Sequence, residues 1–280
     1  MKRILIIALL IACSQWMSAG VTDLTWNKVC TGGMPAEWYG FEEALDIADI
    51  VIAVQKNNGG WMKNDQLHKL SSSEYQRLLN EKGTHSCLDN VATTQEMRYL
   101  ARVWKATGND NCRQAFLRGL QMIRNAQKGC GGWSQYWPLS NDNGYQDYVT
   151  FNDDLVVNVL KLLRDIYNNT GDFANITDAA TREACKAAFD RGLQCILDCQ
   201  IIIDGTYAAW CAQHDTVAPY LPTEGRPQEL PSVSGYESAN LLSFLMSLDN
   251  PSDELKTRIT AAVTWLDEHK IADHAVEDYT

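Results

Sequence analysis

Three stretches of the chain set oxygen-bearing side chains at the front of apolar, helix-like runs. "CLDNVATTQEMRYLARV" (87–103) opens with Asp89 and Asn90, "TFNDDLVVNVLKLL" (150–163) with Asn152, Asp153 and Asp154, and "SGYESANLLSFL" (234–245) with Glu237. Carboxylates and amides in a loose cluster suit calcium better than a transition metal. Thr150 and Asp153 also fit the S/T-x-x-D/E spacing of a helix N-terminus, where a carboxylate meets unpaired N–H groups and the positive dipole end. Capping and metal binding both stay open at this point.

Other candidates sit in segments that read as loops. "GGWMKN" (59–64) and "GGWSQYW" (131–137) carry Trp61, Lys63, Trp133, Tyr136 and Trp137. Aromatic faces beside polar groups suit sugar rings, but Trp61 and Trp133 recur and are expected to stack between repeats. "WCAQHD" (210–215) holds His214, read as a hydrogen-bonding spacer rather than a general base. "PYLPTEGRPQELP" (219–231) contains four of the chain's seven prolines and presents a single cation, Arg226. So many fixed φ angles predict a stiff loop. The chain has no G-x-S-x-G, H-E-x-x-H, phosphate-loop or dinucleotide fingerprint.

The elements that position these residues repeat. "AFLRGLQMI" (115–123) returns as "AFDRGLQCI" (188–196), seven identities in nine at an offset of 73, and "QKNNGGW" (55–61) returns as "QKGCGGW" (127–133) at an offset of 72. A degraded third copy is "QIIIDGTYAAW" (200–210). Apolar residues recur at helical spacing over 41–55, 92–107, 112–127, 152–168, 181–200, 235–248 and 252–270, and no run alternates as a strand would. We therefore expect an all-α fold, an α/α toroid of repeated helical hairpins with about three repeats of about 72 residues. Its long loops, 56–90, 129–151 and 201–234, lie on one rim. Corresponding inner helices start on that rim, so Asp89, Asp153 and Asp154 are expected at one mouth.

The 280 residues are 45% hydrophobic, enough for a sizeable core, with a formal charge of −11 and a pI of about 4.9. That balance argues against nucleic acid and against an anionic membrane surface. "MKRILIIALLIACSQWMSAG" (1–20) has the charged start, apolar run and small residues of a secretory signal peptide, expected to be residues 1–19. Secreted or periplasmic export follows, with "LIAC" (10–13) offering an alternative lipid anchor on Cys13. The rest of the chain, 20–280, is then one domain without a membrane span, expected to be a monomer. Eight further cysteines allow 105 pairings, and sequence does not choose among them.

Taken together, "NNGGWMKN", "DNVATTQEMRYLARVWKATG", "QKGCGGWSQYWP", "TFNDDLVVNVL", "WCAQHD" and "LPSVSGYES" closely resemble the pectate lyases of polysaccharide lyase family ten. The resemblance runs in the same order over nearly the whole chain after the signal. It implies calcium-dependent β-elimination of polygalacturonate, the backbone of demethylated pectin, to unsaturated oligogalacturonates. Carried over position by position, Asp89 and Asp153 match acidic residues that hold calcium and the substrate carboxylate, and Asn90 a substrate-binding asparagine. Lys63, Asn152 and Asp154, beside them, are further substrate-binding candidates, and Arg226 matches the catalytic base. The family reads Ala-Arg-Ala-Tyr-Glu around that base, where this chain has Gly225-Arg226-Pro227-Gln228-Glu229. The family also continues beyond the helix of "TAAVTWLDEHKI", so the domain is expected to lack the usual C-terminal segment. Two other readings fit the residues alone: an inverting glycoside hydrolase using two carboxylates on an α/α toroid, and a non-catalytic, calcium-dependent binder of acidic polysaccharide.

Overall fold

The computed structural model describes residues 20–140 and 144–272. The expected export segment, 1–19 with Cys13, lies outside the described residues. Among these, the helices are α1 (Trp26–Cys30), α2 (Glu42–Ala53), α3 (Ser72–Asn80), α4 (Thr94–Thr107) and α5 (Asp110–Ala126). They continue with α6 (Leu155–Tyr167), α7 (Ala179–Asp198), α8 (Gly235–Met246) and α9 (Asp253–Glu268). The strands are two-residue pieces forming three two-stranded antiparallel ladders, so the fold is the expected all-α toroid.

Helices pack as hairpins, α4 on α5, α6 on α7 and α8 on α9, while α6 lies between α4 and α8 in the inner layer. The sequence of α6 shows why it is inner. Leu155, Val156, Val157, Val159, Leu160, Leu162, Leu163 and Ile166 are all buried, a stripe too wide for a helix covered on one side only. Helix α4 ends where Gly108 takes φ 72°, a left-handed cap that glycine adopts without a Cβ penalty.

The repeated motifs are clasps between outer helices. After α2, the Gln55 side-chain amide donates to the carbonyls of Gly59 (2.7 Å) and Ala115 (2.9 Å), and its oxygen accepts from Arg118 Nε at 2.9 Å. After α5, Gln127 donates to Gly131 and Ala188, each at 2.8 Å, and accepts from Arg191. After α7, Gln200 donates to Ala208 (2.9 Å) and Arg258 (3.0 Å). Each clasp ends in a buried tryptophan whose indole N–H caps the preceding outer helix: Trp61 to Val51 O, Trp133 to Ile123 O and Trp210 to Ile196 O, at 2.7–2.9 Å. Gly119 and Gly192 make room for the first two rings, since a Cβ there would come within 3.1 Å of Trp61 and 2.8 Å of Trp133. Trp61 and Trp133 are thus packing residues, as their recurrence predicts.

Three expectations need correction. The 56–90 connection is not all loop: it contains α3, opened by a capping box between Ser71 and Glu74. It also carries β1 (Ser86–Cys87), while 129–151 holds β2 (Tyr136–Trp137) and β3 (Val149–Thr150), and 201–234 holds β4 (Ile202–Ile203), β5 (Thr206–Tyr207) and β6 (Gln213–His214). Capping at the front of α6 is absent as well. Its N-cap Asp154 makes no side-chain cap bond, and the Thr150 hydroxyl donates to Tyr148 O instead. Asp153 and Asp154 have φ of 52° and 57°, a backbone that no helix start requires.

Candidate active site

Backbone strain marks the junctions that lead into the inner helices. Before α4, Asn90, Val91 and Thr93 have φ of 50°, 57° and 66°. Left-handed backbone is unfavourable for β-branched residues, costing on the order of 1–3 kcal/mol each. The surroundings hold it in place: Thr93 Oγ1 donates to Cys87 O at 2.8 Å and accepts from Trp61 N at 3.0 Å. This tight bend brings Asp89 and Asn90 to the rim, as the bend at Asp153 and Asp154 does before α6.

The two bends and the loop after β6 enclose one cleft of about 620 Å³. Lys63, Asp89, Asn90, Asn152, Asp153 and Arg226 all line it. Asp154, the remaining substrate-binding candidate, is not among the residues that line it, and its Oδ1 is buried without a hydrogen-bond partner. The cleft also takes in Gln135, Tyr145, Gln213, Thr223, Glu229, Ser234 and Glu237. Gln213 Oε1 and Thr223 Oγ1 are buried there with no hydrogen-bond partner.

Asp89 is only 3% exposed. Its Oδ2 takes the Lys63 ammonium at 2.5 Å, while Oδ1 is buried and unpartnered. Burial opposes the charge on Lys63, but the hydrogen bond and charge of Asp89 outweigh it and raise its pKa. Asp153 stands against Asp89, and its pKa is raised first by desolvation and then by the Asp89 charge, with Glu237 adding a smaller push. Two carboxylates share one spot with a single lysine, bonded to Asp89, beside them. An oxygen-binding cation would relieve that repulsion and satisfy the orphaned Oδ1. Among the described residues no group of three or more His, Cys, Asp or Glu closes into a metal cage. A cation held by Asp89 and Asp153 would therefore keep positions open for other oxygens, such as the Asn90 and Asn152 amides or a ligand's carboxylate.

Arg226 is in the cleft but is not free. Its Nε donates to Glu229 Oε1 at 2.8 Å, its terminal NH2 donates to the same oxygen, and its backbone N–H donates to Oε2 at 2.9 Å. This pairing raises the guanidinium pKa, first through the hydrogen bond and then through the charge of Glu229. His214 is the spacer expected: buried, accepting from Cys211 N at 3.0 Å on Nε2 and lying 2.8 Å from Tyr220 O on Nδ1. Burial lowers its pKa to about 4, so it stays neutral and its ring is used up by the loop.

A profile of the pectic acid lyases matches residues 55–280. This chain belongs to the pectic acid lyase family. The match begins at Gln55, the first clasp, and takes in the whole cleft. Among solved structures, a family 10 polysaccharide lyase from Cellvibrio cellulosa is 31% identical with a TM-score of 0.73, covering 86% of this chain and 69% of that one. An aspartate-to-alanine mutant of the same enzyme, in complex with trigalacturonic acid, is 30% identical with a TM-score of 0.73, covering 86% and 70%. No curated protein matches. A pectic acid lyase is a polysaccharide lyase, so the cleft belongs to an enzyme.

Sequence reasoning missed Glu229, Tyr145, Thr223 and Gln135 as part of this pectic acid lyase cleft. Glu229 had a signal, its spacing of three from Arg226 with a proline between. The others come from loops with no local pattern that marks them.

Proposed function

We propose that this lyase cleaves polygalacturonate, the backbone of demethylated pectin, by calcium-dependent β-elimination to unsaturated oligogalacturonates. One observation carries the reading: the buried Asp89, with one oxygen on Lys63 and the other unpartnered, stands beside Asp153 in the cleft that Arg226 also lines. Such a site accepts a cation and, through it, a polyanion that a chain of net charge −11 would otherwise repel.

In this reading Asp89 and Asp153 hold calcium. When bound, calcium offsets the charge that builds on the uronate as its C5 proton leaves. Lys63, Asn90 and Asn152 bind the sugar's carboxylate and hydroxyl oxygens. Arg226 takes the C5 proton, the electron pair forms the C4–C5 double bond, and the O4 leaving group departs and picks up a proton. A guanidinium is an unusual base because it holds its proton tightly, and alkaline medium is the condition in which the step is expected. The signal-like pattern of residues 1–19 supports placing the reaction outside the cytoplasm, in a secreted, periplasmic or Cys13-anchored protein.

The test is ultraviolet absorbance of the unsaturated product from polygalacturonate, with and without a calcium chelator. Absorbance lost to the chelator is the expected result. Reducing ends without the absorbance would mean hydrolysis, and calcium-dependent binding with neither would mean a polysaccharide-binding protein.

A further inference from the structure

The loop that presents Arg226 closes on itself. Gly225 N–H donates to Glu229 O at 2.9 Å and Glu229 N–H to Arg226 O at 2.7 Å, making a compact turn over Pro227 and Gln228. Inside that turn one carboxylate is used twice: Glu229 Oε1 takes the guanidinium and Oε2 takes the Arg226 backbone N–H. The second contact depends on a missing side chain. A Cβ on Gly225 would lie 2.5 Å from Glu229 Oε2 and 3.4 Å from Gln213 Oε1. The far end of Glu229 would have to move away, which would undo the grip.

We propose that Glu229 is a latch that holds Arg226 in a resting state, and that the working state is the one in which this pair is open. The proposal rests on the reading of Arg226 as the proton acceptor. A guanidinium that donates two hydrogen bonds to a carboxylate is in the protonated form, and that form accepts no proton. The same pair is easy to open, because the Arg226 and Glu229 side chains are 60% and 38% exposed and exposed ion pairs are weakly held. Both residues line the cleft, so a uronate carboxylate entering beside Arg226 meets Glu229 head-on and pushes it out by like charge. The other groups whose charge reaches the guanidinium are Tyr145 and Asp153, both in the lining of the same cleft. Of these, Glu229 alone hydrogen-bonds Arg226, so Glu229 governs how readily the proton can leave.

The experiment is the pH profile of kcat/KM on polygalacturonate with calcium present, for wild type, Glu229→Gln, Gly225→Ala and Arg226→Lys. Glu229→Gln keeps the shape and removes the charge; Gly225→Ala keeps the charge and displaces it. Both are expected to move the rising limb toward lower pH by about half a unit, read as about threefold higher kcat/KM on that limb. The Glu229→Gln shift should vanish in an Arg226→Lys background. A limb that superposes on wild type, moves to higher pH, or only falls in height overturns the latch. If Arg226→Lys still costs orders of magnitude in that case, the base assignment stands without it. Wild-type turnover in Arg226→Lys removes the base assignment and the latch together.

Discussion

Lys63 Nζ and Asp89 Oδ2 are 2.5 Å apart at the floor of the cleft, and the other oxygen of Asp89 is buried with nothing to bond. One ammonium cannot neutralise Asp89, Asp153 and Glu237 together. Under the proposed function, the unpartnered oxygen of Asp89 is where a cation would offset that charge. Binding should therefore stabilise the fold: calcium at about 100 times its Kd should add about 2.7 kcal/mol. Thermal unfolding with calcium and with chelator checks this, and Asp89→Asn should remove most of the difference. An identical Tm in both buffers would take the cation away from this site.

Asp153→Ala separates metal binding from capping. The Asp153 side chain caps nothing, so its loss should leave helicity intact, with the relieved repulsion set against the poorer fit of alanine to φ 52°. Loss of a true cap would cost about 1 kcal/mol. Calcium-dependent turnover should fall by orders of magnitude in the same variant, and circular dichroism with the lyase assay reads both.

The clasps make a prediction about glycine. Gly131 has φ 93° and faces Arg191 O, which a Cβ would approach to 2.2 Å. That neighbour is backbone and cannot swing away, so Gly131→Ala should destabilise by roughly 3 kcal/mol or more. Gly119→Ala meets side chains, Met97 at 2.9 Å and Trp61 at 3.1 Å, and should cost about 1–3 kcal/mol despite the better helix propensity of alanine. Urea unfolding ranks the two, and the reverse order would contradict the clasp geometry.

Glu96 gives a pH dependence that does not involve the cleft. Burial raises its pKa from 4.5 to about 7, against the hydrogen bonds it accepts from Trp26 and Gln95, and its Oε2 has no partner. Its folded pKa lies above its unfolded one. The stability it contributes is therefore full below about pH 4.5 and is lost as pH rises through about 7. Glu96→Gln should flatten this fall, on the order of 3 kcal/mol between the two limits. Comparing denaturant midpoints of the two proteins across that range isolates the effect from other carboxylates.

Much of the scaffold was legible because the chain states it twice. Gln55 and Gln127, Ala115 and Ala188, Arg118 and Arg191 sit at matched offsets because they make the same bonds. The rim position of Asp89 and Asp153 followed from the same periodicity. What misled was local pattern. Thr150 and Asp153 have capping spacing, yet the backbone at Asp153 turns left-handed and faces its carboxylate to Asp89. Helix α3 stayed hidden because Leu78 is its only buried residue, leaving almost no apolar rhythm to read. The Glu229 pairing depends on loop closure around Gly225, which spacing alone does not report.

The three glutamine clasps also divide the chain into structural and replaceable parts. Each one joins an outer helix to the next by side-chain bonds to main-chain carbonyls, so the stack is held apart from the rim connections that carry the cleft residues. Asp89 lies between the first and second clasps, Asp153 between the second and third, and Arg226 after the third. Amide exchange should accordingly be slower in the helices that the clasps join, α5 and α7, and faster at the bends that carry the carboxylates. Such an arrangement lets substrate preference drift by changes in the connections that carry the cleft residues, 62–93, 134–154 and 211–234, without renegotiating how the helices stack.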